Sequence, residues 1–158
     1  MISGEDFFVM ARILHVIGVV LWIGGVAFLA MVVVPTLRGQ PDPEKSFAVF
    51  AAIEGRFKAQ AKIVTLITGL SGFFMLFWLD AWDRYLDWSF WWVDLMTLIW
   101  IFFTLVLFVI EPMLSRRKAH VQSKSNPTAT FKFVNRMLKV LTLLSLLAIY
   151  GAVTGVHG

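Results

Sequence analysis

The sequence of 158 residues contains no cysteine. This absence excludes disulfides, thiolate metal sites, iron–sulfur clusters and covalently attached c-type haem. The sequence also lacks a P-loop, a dinucleotide-binding fingerprint and a Ser/His/Asp arrangement at a plausible depth in the membrane. Charged residues make up only 15% of the chain. Any chemistry must therefore come from a few polar side chains in an apolar protein.

Hydrophobic residues make up 59% of the chain, and the mean hydropathy is +0.79, which is too apolar for a soluble domain. A helix needs about 20 apolar residues to cross roughly 30 Å of hydrocarbon. Tracts of this length are continuous rather than alternating, which indicates helices and not outer-membrane strands. We predict an all-α, four-transmembrane-helix bundle that forms one domain over residues 1–158, with spans at 7–35, 61–79, 88–111 and 137–156.

Positive charge is distributed unevenly among the loops. The second loop has only Arg84, among Asp80, Asp83 and Asp87. The other loops hold the remaining basic residues between spans: Arg38, Lys45, Arg56, Lys58 and Lys62 in the first, and Arg116, Arg117, Lys118, Lys124, Lys132, Arg136 and Lys139 around the third. The positive-inside rule predicts that both termini are external, in a bacterial-type inner (plasma) membrane. The net charge of +4 then faces anionic lipid and not nucleic acid.

Three further patterns concern loops and contacts between helices. Asp42-Pro43 is typical of a helix start, so we expect a helix that runs from there toward the second span. The aromatic residues between 78 and 92 indicate an interfacial belt or, alternatively, a cofactor or quinone site. Gly151 and Gly155 predict close packing of helices, either within the chain or at the seam of a homodimer or larger membrane complex.

Ionisable side chains inside a span are candidates for function because they are costly to place there. Four are present: Arg12, His15, Asp94 and His157. Counting about 20 residues outward from the cytoplasmic ends of the spans places His15, Asp94 and His157 at similar depths near the outer face. We therefore predict that Arg12 and Asp94 lie within ion-pair reach or one water of each other.

Arg12 and His15 share one face of the first helix, and the same face continues through Gly18, Trp22 and Gly25. This arrangement suits a haem, since an imidazole ligates iron, glycines let a ring approach the backbone, and an arginine one turn outward meets a propionate. His157 is the candidate second ligand. A hydrogen-bonded packing histidine is the alternative interpretation of His15.

The motif His15-x6-Trp22-x-Gly24-Gly25, followed by Pro35, resembles the first helix of the copper-resistance D (CopD)-like membrane proteins and of the related HemJ-type protoporphyrinogen oxidases. The resemblance implies a four-helix bundle in which the histidine of the first helix binds haem b or, in the copper branch, copper.

Other segments carry the resemblance along the chain. Arg56-Phe57, together with residues 69–72, is similar to the second helix of these families, and residues 102–112 and 151–158 resemble small four-helix relatives without an assigned activity. Asp94 stands where the resemblance implies a lysine or a histidine. Only His15 is therefore carried over from the family pattern, and protoporphyrinogen oxidation is not implied.

Three hypotheses follow. The first is a membrane-bound b-type haem protein in electron transfer or a small redox reaction near the outer face, in which His15 and His157 are axial ligands and Arg12 meets a propionate. The second is a copper-handling protein in which Met10, His15 and Asp94 bind the ion. The third is a non-catalytic accessory subunit of a larger membrane complex.

Overall fold

A computed structural model describes residues 3–113 and 127–155 of the chain. All regular structure in these ranges is helical, and four helices are long and apolar enough to cross a membrane. They extend over Gly4–Arg38, Pro43–Trp78, Trp88–Met113 and Val134–Gly155. The prediction of an all-α chain with four apolar spans is confirmed. The sides on which the termini lie stay a prediction.

The first span begins with helix α1 (Gly4–Phe28), whose start is fixed by a capping box. The Ser3 hydroxyl accepts from the backbone N–H of Asp6, and the Asp6 carboxylate accepts from the backbone N–H of Ser3 at 2.7 Å. A π-helical segment, Leu29–Val33, then leads into helix α2 (Val34–Arg38). The helical span therefore runs past its predicted end at residue 35.

The π-helical segment is followed closely by a proline, and the same arrangement recurs in the third span. There, helix α4 (Trp91–Leu105) continues into the π segment Val106–Ile110. Pro35 and Pro112 each stand two residues beyond such a segment. A proline lacks an N–H and crowds the carbonyl four residues earlier, and the wider π turn accommodates both effects.

Helix α3 (Pro43–Trp78) is one continuous helix of 36 residues. The Asp42 carboxylate caps it by accepting from the backbone N–H groups of Glu44 and Lys45, both at 3.1 Å. This confirms the predicted helix start. A helix of this length extends about 54 Å, well beyond a hydrocarbon core of roughly 30 Å, so its first turns lie outside the apolar layer.

The loop between the second and third spans contains two short 3₁₀ segments, Trp82–Leu86 and Trp88–Phe90. Tyr85 ties this loop to α4 through a hydrogen bond of 2.8 Å between its hydroxyl and that of Thr97. Trp88 is 90% exposed. An exposed tryptophan at the end of a span favours the interfacial-belt interpretation over a cofactor site.

The four spans pack in a ring. Helix α1 lies mainly against α3, and α4 lies mainly against α5 (Pro127–Gly155), while α1 with α5 and α3 with α4 close the ring. In the core, the rings of Trp22 and Phe103 meet edge to face with their centroids 4.8 Å apart. The outer surface is strongly apolar, with large hydrophobic side chains exposed along every span. Such a surface requires lipid or another apolar environment.

Gly155 of α5 lies against the indole ring of Trp92 in α4, and Gly151 lies against the indole ring of Trp91 and the Cβ of Trp92. Trp92 is only 9% exposed, and the two indole rings fill the space that the glycines leave open. These two glycines therefore serve packing within the chain, which was one of the two predicted roles.

An ion-pair cluster joins α3 to the end of the third span. Glu111 pairs with Lys62 at 3.1 Å and with Lys58 at 4.0 Å, and Lys58 also pairs with Glu54 at 3.4 Å. All four side chains are about one third exposed, which places the cluster at a polar boundary of the bundle. The cluster closes the end of the bundle opposite Trp92.

Candidate functional site

His15 lies between α1 and α3, where its Nδ1 is 2.8 Å from the backbone carbonyl oxygen of Thr68. A carbonyl oxygen only accepts hydrogen bonds, so the Nδ1–H of His15 is the donor. In the neutral imidazole, Nε2 then carries the lone pair. Nε2 makes no hydrogen bond to any described part of the chain.

Glycines allow this close approach of the two helices. Gly18, one turn after His15, is buried directly against the side chain of Thr68. Gly72 leaves room for the imidazole, since a Cβ at this position would lie 3.0 Å from His15 Cε1. Ser71 adds a hydroxyl 3.4 Å from His15 Nδ1. The ring is thus held at its Nδ1 edge, while Nε2 is left without a hydrogen bond to the described residues.

Arg12 is exposed on the same helix, one turn before His15. It forms no ion pair or hydrogen bond within the parts of the chain that the structure describes. Its guanidinium is therefore free to meet an anionic group, such as a carboxylate of a bound ligand.

Asp94 is half-buried in the first turn of α4. Among the described residues, no ion pair joins it to Arg12, so the direct pairing predicted from the sequence is not found. Pairing through one water stays a prediction. The partial positive charge at a helix N-terminus stabilises a carboxylate, and this lowers the cost of placing Asp94 in the span.

Met10 is 55% exposed and lines a shallow groove of about 380 Å³ between α1 and α3, together with Phe7 and Leu14. Five helical positions separate it from His15, which turns the two side chains roughly 140° apart. The described residues contain no group of three or more His, Cys, Asp or Glu side chains that could hold a metal ion. The copper site of Met10, His15 and Asp94 thus stays a prediction that no contact supports.

His157, the predicted second ligand, lies outside the residues that the structure describes. The pairing of the two histidines stays a prediction.

Sequence reasoning missed a row of buried hydroxyls on α3: Thr65, Thr68 and Ser71. Thr68 donates to the Val64 carbonyl oxygen at 2.8 Å, and Ser71 donates to that of Ile67 at 2.6 Å. The signal was available as hydroxyl residues spaced three apart in an apolar helix. The row lies on the helix face that meets α1, directly beside His15.

Two buried polar atoms near the middle of this interface have no hydrogen-bond partner: Trp22 Nε1 and Thr65 Oγ1. The contacts of Gly18 with Thr68 and of Gly25 with Phe57 bracket both residues along α1 and α3. Thr65 is fully buried, and its backbone oxygen accepts from Trp100 Nε1 at 2.8 Å while its hydroxyl stays unpaired. An unpaired buried hydroxyl costs about 1–3 kcal/mol.

We expect Thr65→Val to stabilise the protein, because valine keeps the shape and removes the unpaired hydroxyl. The expected rise in the midpoint of thermal unfolding in detergent is about 2–4 °C. Thr142→Val is the matched control, since the Thr142 side chain is 1% exposed but its hydroxyl donates to the Leu138 carbonyl oxygen at 2.8 Å. A larger loss of stability in Thr65→Val than in Thr142→Val would contradict the assignment of an unpaired hydroxyl.

Comparison of the chain with protein-family models, with curated proteins and with solved structures finds no match. The resemblance to the copper-resistance D and HemJ-type proteins therefore stays a prediction based on short motifs.

Proposed function

We propose that this chain is an integral membrane b-type haem protein that takes part in electron transfer or a small redox reaction, with His15 as an axial ligand. The observation that carries the proposal is the hydrogen bond from His15 Nδ1 to the carbonyl oxygen of Thr68. Histidines that bind metals typically donate their other ring N–H to a carbonyl or carboxylate, which fixes the tautomer and the ring orientation.

The surrounding side chains suit a haem in two further respects. Gly72 leaves room for the imidazole itself against α3, and Arg12, one turn along α1, has no partner among the described residues and is free to meet a propionate. When bound, haem supplies one-electron redox chemistry whose potential depends on the axial ligands. The protein would supply the ligand, its orientation and the charge of Arg12.

The proposal is tested by the reduced-minus-oxidised absorption spectrum and the metal content of the protein purified in detergent from haem-supplied cells. A Soret band with iron close to one per chain is the expected result. A colourless protein with stoichiometric copper would favour the copper-handling alternative. A protein without haem or metal would leave His15 as a packing residue and favour the accessory-subunit hypothesis.

If His15 lies near the external face, as proposed, both termini and the second loop are external. Reporter fusions after Gly158 and within residues 80–87 are expected to report an external location, and a fusion near Lys124 a cytoplasmic one. The reverse pattern would move His15 to the cytoplasmic side and contradict the proposed outer-face site.

A further inference from the structure

The lipid-facing side of the bundle has an open groove of about 560 Å³ between α4 and α5. Its walls are apolar along both helices, with Leu98 and Phe102 on α4 and Val140 and Leu144 on α5. The one charged side chain in its lining is Arg136. From Arg136 to Leu144 the groove follows α5 for about 12 Å.

Arg136 lies at the end of this groove that is far from Trp92. Gly151 packs on the ring of Trp91 and the Cβ of Trp92, and Arg136 precedes Gly151 by 15 residues, or about 22 Å of helix. In a hydrocarbon core of roughly 30 Å, this distance puts Arg136 close to the opposite boundary, where a guanidinium reaches the headgroup layer. The groove therefore runs from a cation at the boundary into the apolar layer.

No acidic group on the described residues neutralises this cation. Arg136 is exposed and has no ion pair or hydrogen bond within the described ranges. The sequence of α5 (Pro127–Gly155) contains no Asp or Glu, and Lys139 adds a second exposed positive charge one turn along the helix. The only acid within α4 (Trp91–Leu105) is Asp94, near the Trp92 end. Glu111, at the other end of the same span, pairs with Lys62 and Lys58 of α3.

We propose that this groove is a binding site for an anionic phospholipid, whose phosphate pairs with Arg136 while one acyl chain lies between α4 and α5. Arginine forms paired hydrogen bonds to phosphate, and basic pockets between transmembrane helices hold anionic headgroups. A second copy of the chain is disfavoured as the occupant. Symmetric packing of two copies on this face would bring their Arg136 and Lys139 side chains together without an acid on α5 to offset them.

The test uses the delipidated full chain in detergent and measures binding by native mass spectrometry. The probes are phosphatidylglycerol and phosphatidylcholine with identical acyl chains. We expect phosphatidylglycerol to bind about fivefold more tightly, and Arg136→Gln to remove this preference. Arg38→Gln is the matched control, because Arg38 is an exposed arginine at the end of α2 that does not line the groove. It should leave the preference unchanged.

Two further variants test the acyl chain separately from the headgroup. Val140→Trp and Leu98→Trp fill the groove from opposite walls, at side chains that are 48% and 63% exposed. At least one of these variants is expected to bind both lipids more weakly than the parent does while its helical content is unchanged. Equal binding of the two lipids to the parent, or an equal loss of preference in Arg136→Gln and Arg38→Gln, would overturn the proposal. The proposal would also be overturned if the parent were a dimer that Val140→Trp dissociates, or if an isoprenoid quinone displaced the bound phospholipid. None of these results depends on haem.

Discussion

Replacing His15 by alanine is expected to abolish the haem spectrum of the purified protein, because it removes the one histidine that the described structure holds inside a span. His157→Ala should retain haem but shift it toward a high-spin spectrum, since losing one of two histidine ligands leaves the iron five-coordinate. His120→Ala, in the basic loop, should leave the spectrum unchanged. The three histidines of the sequence thus provide a test series with an internal control.

A conservative variant separates loss of the ligand from loss of structure. His15→Asn places an amide N–H close to the position of Nδ1, so it can still donate to the Thr68 carbonyl oxygen, yet it has no counterpart of Nε2. We expect His15→Asn to lose haem but to keep the size-exclusion profile of the parent and the thermal stability of the haem-free parent, because bound haem itself stabilises the folded state. Full retention of haem in both His15→Ala and His15→Asn would show that His15 is not a ligand. Loss of haem in His120→Ala as well would show that the series reports general instability.

The four spans could be predicted from the sequence because each helix that crosses a bilayer needs a minimum length of continuous apolar residues, and this requirement holds for each segment separately. Their ends were harder to predict. Pro35 suggests a helix end, but the preceding π segment lets the helix continue to Arg38. Conversely, α3 continues through the charged residues before its apolar part, since Asp42 caps it and a helix is free to extend beyond the hydrocarbon.

The candidate site was predictable only in part, for a geometric reason. Counting residues from a boundary gives the height of a side chain along a span but not its direction around the helix. Height alone suggested that Arg12 pairs with Asp94, whereas the structure joins His15 to Thr68. The acceptor is a backbone carbonyl, which no side-chain pattern marks, so it became visible only once the packing of α1 on α3 was known.

The unpaired polar atoms of Trp22 and Thr65 could not be predicted from the sequence either. Tryptophan and threonine are ordinary residues of a membrane helix, and each finds partners in many environments. Whether one of them is left without a partner depends on which side chains surround it in three dimensions. The sequence therefore identifies the polar residues of the core, and the packing decides which of them are satisfied.

The packing of α1 on α3 is itself open to a sharp test with two glycines of the same helix. Gly18 is buried against Thr68, whereas a Cβ at Gly24 would meet no atom within 4 Å. Gly18→Leu is expected to destabilise the protein by about 1–3 kcal/mol, because the new side chain forces the two helices apart. Gly24→Leu should be neutral or stabilising by up to about 1 kcal/mol, since leucine favours a helix more than glycine does.

The same pair of variants connects helix packing to the site. Separating α1 from α3 lengthens the hydrogen bond between His15 and Thr68, so Gly18→Leu should also weaken haem binding, while Gly24→Leu keeps it. Thermal unfolding in detergent and the Soret absorbance per chain measure the two effects in one sample. Equal stabilities of the two variants would contradict the close contact at Gly18. An unstable Gly18→Leu that still binds haem as the parent does would separate the ligand from this interface.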